Sequence, residues 1–297
     1  MEVRVLRYFL AVAREETISG AAEALHVTQP TLSRQMMELE EELGKKLFIR
    51  GNRRIILTDE GVFLRKRAQE IVDLVNRTES DFSAPDEIIS GDVYIGGGET
   101  DAMRLIGRAV RKMQRDYPHI RYHLFSGNAD DVAERLDKGL LDFGIFIEPA
   151  DIKKYDYMRL PAVDTWGLLM RRDSPLAALP NIRPEHLRGI PLLCSRQSLT
   201  ENELSGWLGG NAESLEVVTT YNLIYNAAIL VEEGIGCALC LDKLVNTKGS
   251  SLCFKPLEPP MEARLDIVWK KYQVFSKAAE KFLKVLQETL AAEEQSL

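Results

Sequence analysis

The chain has 297 residues, of which 45% are hydrophobic and 28% charged, with a formal net charge of −7. That length points to about two globular domains with substantial cores, and no continuous apolar run is long enough to cross a bilayer. Glu2, Arg4 and Arg7 interrupt what would have to be the apolar core of a signal peptide, so the expected location is the cytoplasm, away from membranes.

The charge is unevenly divided. Residues 1–68 carry 12 Lys and Arg against 10 Asp and Glu, a balance of +2 that leaves −9 for the remainder. Such an asymmetry suits one domain that meets nucleic acid joined to one that does not. An acidic chain does not coat DNA nonspecifically. Its binding is expected to rest on a few placed contacts and on two copies of the reading head.

In chain order, Leu6, Phe9, Leu10 and Ala13 make one face of a first helix, closed by Glu15-Glu16. Ser19 is a helix-capping residue type, and Ala21, Ala22 and Ala24 are small enough to let a second helix approach. After a tight connection at His26-Val27, Thr28 caps a further helix. Pro30 falls in its first turn, where the missing N–H removes no intrahelical bond.

Leu32, Met36, Leu39 and Leu43 recur at spacings of four, three and four, a stripe that faces a core. Gln29, Ser33, Arg34 and Met37 are left facing outward. Gln and Arg make bidentate contacts to adenine and guanine edges in a major groove, which the first turns of a recognition helix enter. The acidic run Glu38, Glu40, Glu41, Glu42 sits at the far end, where phosphates are repelled. Two short apolar runs then flank a Gly51-Asn52 turn that carries Arg50, Arg53 and Arg54, the pattern of a basic β-wing.

Five linked signatures carry a resemblance. They are Ala21-Ala22-Glu23-Ala24-Leu25-His26-Val27-Thr28, Gln29-Pro30-Thr31-Leu32-Ser33-Arg34, Leu39-Glu40-Glu41-Glu42-Leu43-Gly44, Leu47-Phe48-Ile49-Arg50, and Leu57-Thr58-Asp59-Glu60-Gly61. In that order they resemble the N-terminal winged helix-turn-helix of LysR-type bacterial transcriptional regulators. The resemblance implies double-stranded promoter DNA as partner. Gln29, Ser33 and Arg34 are expected to read bases; Thr28 and Pro30 open the same helix, and Thr28, Arg50, Arg53 and Arg54 are expected at phosphates and the minor groove.

Thr58 caps a long helix with Asp59 and Glu60 in its first turn, the favoured sign there. Leu64, Ala68, Ile71, Val75, Thr78 and Phe82 form a heptad seam along it. With no evident core of its own to cover, this helix is expected to pair with a second copy. The resemblance implies the same: a linker helix that forms a homodimer, and dimers that join as a tetramer. Ser83-Ala84-Pro85 ends the helix at a hinge.

From Gly91 onward strands alternate with helices. Asp92-Val93-Tyr94-Ile95 is a strand, Gly96-Gly97-Gly98 a turn, and 100–116 a helix; 121–125, 130–138 and 141–147 continue the alternation. A second such unit spans 190–240. Strand-helix-strand order implies parallel pairing. The chain is expected to cross between two lobes near Ala162-Thr165 and to return near Ala263-Ile267, leaving a cleft at the carboxyl ends of the strands.

This half resembles the effector-binding domain of the same family, built like a periplasmic binding protein, on Gly91-Asp92-Val93-Tyr94-Ile95-Gly96, Gly139-Leu140-Leu141-Asp142-Phe143-Gly144-Ile145 and Val231-Glu232-Glu233-Gly234-Ile235-Gly236. The expected architecture is an α+β chain of two domains: a winged helix-turn-helix over 1–58, a linker helix over 59–83, a hinge over 84–90, and a two-lobed α/β domain over 91–297. Lobe I comprises 91–162 and 268–297, and lobe II comprises 163–267.

The resemblance places effector contacts at Gly98, Glu99, Thr100 and Asp101, at Ser126 and Asn128, at Phe146 and Ile147, and at Ser195, Arg196 and Gln197, with Tyr221 and Asn222 nearby. Many relatives carry hydroxyl residues through the first loop. Here Gly98 and Glu99 flank a single Thr100, and a pocket-facing Glu99 repels a carboxylate ligand, while Arg196 is placed to counter it.

Catalytic chemistry finds no constellation. His26, His119, His123 and His186 lack ligand-like spacing, so neither metal nor cofactor is expected beyond a small-molecule effector. Gly96-Gly97-Gly98 lacks the lysine of a nucleotide-triphosphate loop. Cys237-Ala238-Leu239-Cys240 falls in a strand with no second pair to complete a zinc site, and Cys194, expected on a pocket wall, is the better redox candidate. Pro175, Pro180, Pro184 and Pro191 mark a surface connection. A closing helix follows with Phe275, Ala279, Phe282, Leu286 and Leu290 on one stripe, and 291–297 reads as a frayed tail. The expected protein is a non-enzymatic regulator with RNA polymerase as a further partner. A ligand-independent DNA-binding regulator with a vestigial pocket is the alternative.

Overall fold

In the computed structural model, which describes residues 1–51, 54–83, 89–196, 202–209 and 215–294, the chain divides into two units, Met1–Ser83 and Ala84–Leu297. The first is built from α1 (Val3–Glu15), α2 (Ile18–Ala24), α3 (Gln29–Leu43), β1 (Phe48–Arg50), β2 (Ile55–Leu57) and α4 (Asp59–Ser83).

Helix α1 buries Leu6, Phe9, Ala11 and Val12, a face rotated from the expected one, with Leu10 and Ala13 only half-buried. The cap of α2 is Thr17, whose hydroxyl accepts from the Gly20 N–H at 3.1 Å, so Ser19 lies inside the first turn. Thr28 caps α3, accepting from the Thr31 N–H at 3.4 Å. Leu32, Met36 and Leu39 are buried as their spacing requires, but Leu43 is 38% exposed. The inward position in the last turn belongs instead to Glu40, and α3 ends where Gly44 turns left-handed at φ +62.

Glu40 ties the wing to the recognition helix. Its Oε1 accepts from the Leu47 N–H at 2.8 Å and the Phe48 N–H at 3.3 Å, and its Oε2 accepts from Lys46 Nζ at 2.8 Å. The Thr58 hydroxyl accepts from the Gly61 N–H and donates to the Lys46 carbonyl at 2.7 Å. Gly61 is glycine for a steric reason: a Cβ there would lie 2.2 Å from the Leu47 carbonyl oxygen. The wing itself pairs Phe48 with Leu57 and Arg50 with Ile55.

Helix α4 does have a core of its own to cover. Leu64, Ala68 and Val72 are 9%, 0% and 7% exposed and pack with Leu6, Phe9 and Val12. Farther along, Arg7 donates to Asn76 Oδ1 at 2.7 Å. Leu64 and Ala68, expected to face a second copy, are therefore occupied within their own chain. Of the apolar residues left exposed, Phe63, Ile71, Leu74 and Phe82 fall on the next face round, and Val62 lies apart from them. A 25-residue helix has room for both faces, and the heptad count alone cannot separate them.

The second unit runs β3 (Gly91–Gly97), α5 (Met103–Asp116), β4 (Ile120–Ser126), α6 (Ala129–Asp137), β5 (Phe143–Ile147), β6 (Tyr155–Arg171), β7 (Leu192–Ser195), α7 (Asn202–Trp207), β8 (Val217–Tyr221), α8 (Ile224–Glu232), β9 (Cys237–Leu241), β10 (Leu252–Pro256), β11 (Glu262–Lys270) and α9 (Lys277–Glu294). The strands join in the order β4-β3-β5-β11-β6-β9-β7-β8, with β10 on β6. Within each lobe the pairs are parallel, β3 with β4 and β5, and β7 with β8 and β9. The two crossing strands β6 and β11 are antiparallel to each other.

Those crossing strands are longer than the sequence indicates. Pro161 argues against a continuous strand because it donates no ladder hydrogen bond. The structure accommodates it in an irregularity: Arg159 pairs with Asp266 and Val163 with Arg264, so residues 160–162 face a single residue. Leu265 already pairs with Ile147 of β5, so the return into lobe I comes before residue 268. Lobe I packs around Phe143, Ile145, Leu265 and Phe282, and lobe II around Leu168, Leu192 and Leu239. The tail is ordered farther than expected. Leu290 is buried, and Glu288 and Glu293 pair with Lys112 and Arg108 of α5, so α9 continues to Glu294.

Burial raises the Glu40 carboxyl, but hydrogen bonds from Lys46, Leu47 and Phe48 outweigh it and hold the group below its ordinary value. A carboxyl depressed in the folded state contributes stability that is complete above the unfolded glutamate range and lost as pH falls through the folded value. Glu40→Ala is therefore expected to lower stability by about 2–3 kcal/mol at neutral pH. The gap to wild type should close below about pH 4, as read by urea unfolding.

Candidate functional site

The first unit presents one end of α3 to solvent. Gln29, Pro30 and Arg34 are exposed and Ser33 is half-buried, all in the turns that follow the Thr28 cap. The Thr28 and Thr31 hydroxyls share a hydrogen bond at 2.8 Å. Arg34 Nε donates to Glu38 Oε1 at 2.7 Å, four residues on, and Gln35 shares that carboxylate. An ion pair so exposed contributes little and holds the guanidinium only until a better acceptor replaces the carboxylate. On the wing, Arg54 pairs with Glu16 at 2.9 Å, Arg50 closes β1, and Arg53 lies outside the described residues. Lys45 and Lys46 face Glu60 and Glu40. These basic side chains are thus offset by acids of the same unit, which reconciles a reading surface with a net charge of only +2 over residues 1–68.

In the second unit, the ends of β3, β5, β7 and β9 meet at a cavity of about 80 Å³ between the lobes. Gly98, Glu99, Asn128, Ile147, Ser195, Arg196 and Asn222, all expected there, line it. So do Gly127, Trp166, Tyr221, Ile224, Cys240, Leu241 and Leu244. Trp166, Leu241 and Leu244 carry no polar or motif signal. Trp166 was reachable only through its place on a strand that crosses between lobes and must floor the cleft.

Other expected contacts fall elsewhere. Thr100, Asp101 and Ser126 border a neighbouring hollow beside Arg104 and Lys243. Phe146, one residue before Ile147, takes the opposite side of β5, where its ring packs at 5.6 Å on Tyr155 beneath α6 and borders a separate hollow that also reaches Asn128 and Arg196. Gln197 lies outside the described residues.

Several polar groups at the cleft already serve the backbone. Asn128 Oδ1 caps α6 by accepting from Asp131 N–H at 2.8 Å, Asn222 Oδ1 accepts from Leu223 N–H at 3.0 Å, and the Tyr221 hydroxyl donates to the Leu239 carbonyl at 2.6 Å. Burial drives the Tyr221 phenol well above its ordinary value, so it remains a neutral donor. Glu99 reaches across the cleft: its Oε2 accepts from the Ile224 N–H, the first residue of α8 in the other lobe, at 2.5 Å.

Where the strands cross, Asp164 is 6% exposed and burial raises its carboxyl, partly offset by a hydrogen bond from the Thr100 hydroxyl. Thr100 also accepts from the Ala102 N–H at 3.0 Å, and Asp101 pairs with Arg104 at 2.7 Å. The loop that carries Glu99 is therefore fastened to lobe I and to the crossing strand.

Comparison with known proteins agrees along the whole chain. Residues 3–62 match a family model described as bacterial regulatory helix-turn-helix protein, lysR family, and residues 87–291 match one described as LysR substrate binding domain. The chain is 28% identical over 288 residues to the uncharacterized HTH-type transcriptional regulator YfeR of Shigella flexneri, covering 96% of this chain and 93% of that one. Over 195 residues it is 30% identical to the hydrogen peroxide-inducible genes activator of Pectobacterium carotovorum subsp. carotovorum, covering 65% of this chain and 64% of that one. In fold it is similar to CbnR, a LysR family regulator, in a crystal structure of the full-length protein with its target DNA. The TM-score is 0.75 at 19% identity, over 97% of this chain and 100% of that one.

Three of the four cysteines are buried as thiols. Cys194 is fully buried in the lobe II core rather than on a pocket wall, and burial pushes its thiol up to about 11. Cys237 and Cys240 take opposite faces of β9 and enter different core clusters, with burial raising them to about 11 and about 12. At pH 8 a thiol at 11 is ionised to roughly one part in a thousand. Cys194, Cys237 and Cys240 are expected to resist thiol-modifying reagent in the native protein and to react on unfolding, as counted by mass spectrometry. Fast native modification of Cys194 would reopen the redox role.

Proposed function

The chain belongs to the LysR family of bacterial helix-turn-helix transcriptional regulators, and from that premise we propose how its parts act. Two copies join along the exposed face of α4 and bring two α3 helices to an interrupted inverted repeat in promoter DNA. Gln29, Ser33 and Arg34 read base edges, while Thr28 and the wing arginines hold phosphates and the minor groove. A small-molecule effector between the lobes biases how dimers assemble on the promoter, and can do so only by binding one assembly better than the other. The protein acts in the cytoplasm, on RNA polymerase recruitment, and not as an enzyme.

The observation that carries this reading is the first turn of α3. Its cap is formed, its inward stripe is buried, and Gln29 and Arg34 are turned to solvent with no role in the core. One observation favours a second reading, regulation without an effector: Glu99 already holds the α8 N-terminus across the cleft and leaves about 80 Å³ beside it, with hollows of about 370 and 530 Å³ adjoining at Gly98 and Leu244 and at Asn128 and Arg196. Selection on random duplex DNA, followed by titration with small molecules, separates the two. Both readings recover an inverted repeat, but only the first gives an affinity that moves with a ligand.

Arg34→Ala is expected to relax base choice at one position per half-site, costing about 1–3 kcal/mol there. A uniform loss on every sequence would instead make it a phosphate contact. Phe63→Glu combined with Leu74→Glu should convert the dimer to monomer at low micromolar concentration in light scattering, with helical circular dichroism retained. A dimer that survives both places the interface elsewhere.

A further inference from the structure

Glu99 departs from what an acid-binding cleft requires, and its contact explains how. Helix α8 begins without a side-chain cap from its own N-cap residue, Leu223, and so offers unpaired N–H groups and a positive dipole end to the cleft. Glu99 supplies the missing acceptor from the opposite lobe, 125 residues away in sequence. A carboxylate at a helix N-terminus is the arrangement an anionic ligand adopts. The loop behind Glu99 is pinned through Thr100 and Asp101, so the contact joins the lobes rather than decorating one of them.

We propose that Glu99 is the cleft's own anion: its carboxylate occupies the seat at the α8 N-terminus that an external acid would need, latches the two lobes together, and leaves the remaining space to a small ligand with no carboxylate. This rests on the reading of the cleft as the effector site. The residual cavity is consistent with that class, since Glu99 and Arg196 bring one charge of each sign to its lining, while Ile147, Trp166 and Leu244 supply an apolar wall. A second negative charge entering beside Glu99 meets its repulsion.

The test uses the full-length protein and hydrogen exchange at the Ile224 amide. In Glu99→Ala that amide should exchange about tenfold to a hundredfold faster, the factor expected for loss of a charge-assisted hydrogen bond. Acetate at constant ionic strength should slow it again by taking the vacated seat, whereas acetamide should not. In wild type neither compound should act. Glu99→Gln keeps an oxygen in place, and should give an intermediate rate that does not respond to acetate. Unchanged Ile224 exchange in Glu99→Ala, or an acetate effect of equal size in wild type, overturns the latch. Promoter affinity is measured in parallel on the same proteins. A wild type without sequence-selective binding sinks the regulator reading and leaves the latch standing, whereas normal binding with unchanged Ile224 exchange does the reverse.

Discussion

Strands β6 and β11 lie side by side for most of their length, and the strand order of the sheet passes from lobe I to lobe II only across that pair. Each lobe is a parallel α/β unit with its own apolar core, so each places its loops by local packing. What makes two sets of loops into one cleft is the ladder between the crossing strands. Two buried carboxyl groups lie on it: Asp164, beside Thr100 and with its Oδ2 lacking a hydrogen-bond partner among the described residues, and Asp266, 1% exposed and held by Arg159 at 2.6 Å. A buried carboxylate tolerates little displacement from its partner, because separation leaves an uncompensated charge away from water. Away from the crossing strands, the Glu99 carboxylate bridges the lobes directly at the start of α8.

The reading unit follows the same logic at smaller scale. Its recognition helix and its wing are joined by one buried acid, Glu40, and by the close approach of Gly61 to the Leu47 carbonyl. Both relations explain motif residues that otherwise read as surface acidity and as a turn. The wing has only three residues in each strand, too few to be stable alone, so it depends on this anchorage to α3 and α4. The exposed charges, by contrast, are loosely paired with one another. Arg34 with Glu38 and Arg54 with Glu16 can exchange partners at little cost, which is what a surface that must meet a polyanion requires.

Helix α4 shows how one periodic pattern serves two purposes. Its apolar residues recur often enough to fill two faces, one packed on α1 and one exposed. Ranking them by heptad position assigned Leu64 and Ala68 to the open face and passed over Phe63 and Leu74. The error came from treating the helix as having nothing of its own to cover. In a short domain of three other helices, a fourth is needed to close the core.

The sequence by itself determined the reading head, the alternation of strands and helices, the parallel pairing within each lobe and the approximate crossing points. These depend on capping residues, glycine and proline positions and apolar spacing, all of which act over a few residues. The family resemblance carried by its motifs also placed seven cleft residues, on loops that parallel strands bring to one side of the sheet. Tertiary structure alone decided which side chains those loops turn inward. Phe146 and Ile147 are adjacent and equally apolar, and only strand register separates them. Cys194 could not be called buried from its neighbours, nor Trp166 recognised as floor, before the long strands were in register. The pairing of Glu99 with the start of α8 was least legible of all, since a hydrogen bond across 125 residues leaves no trace in local pattern and exists only because folding brings a carboxylate from one lobe to an uncapped helix in the other.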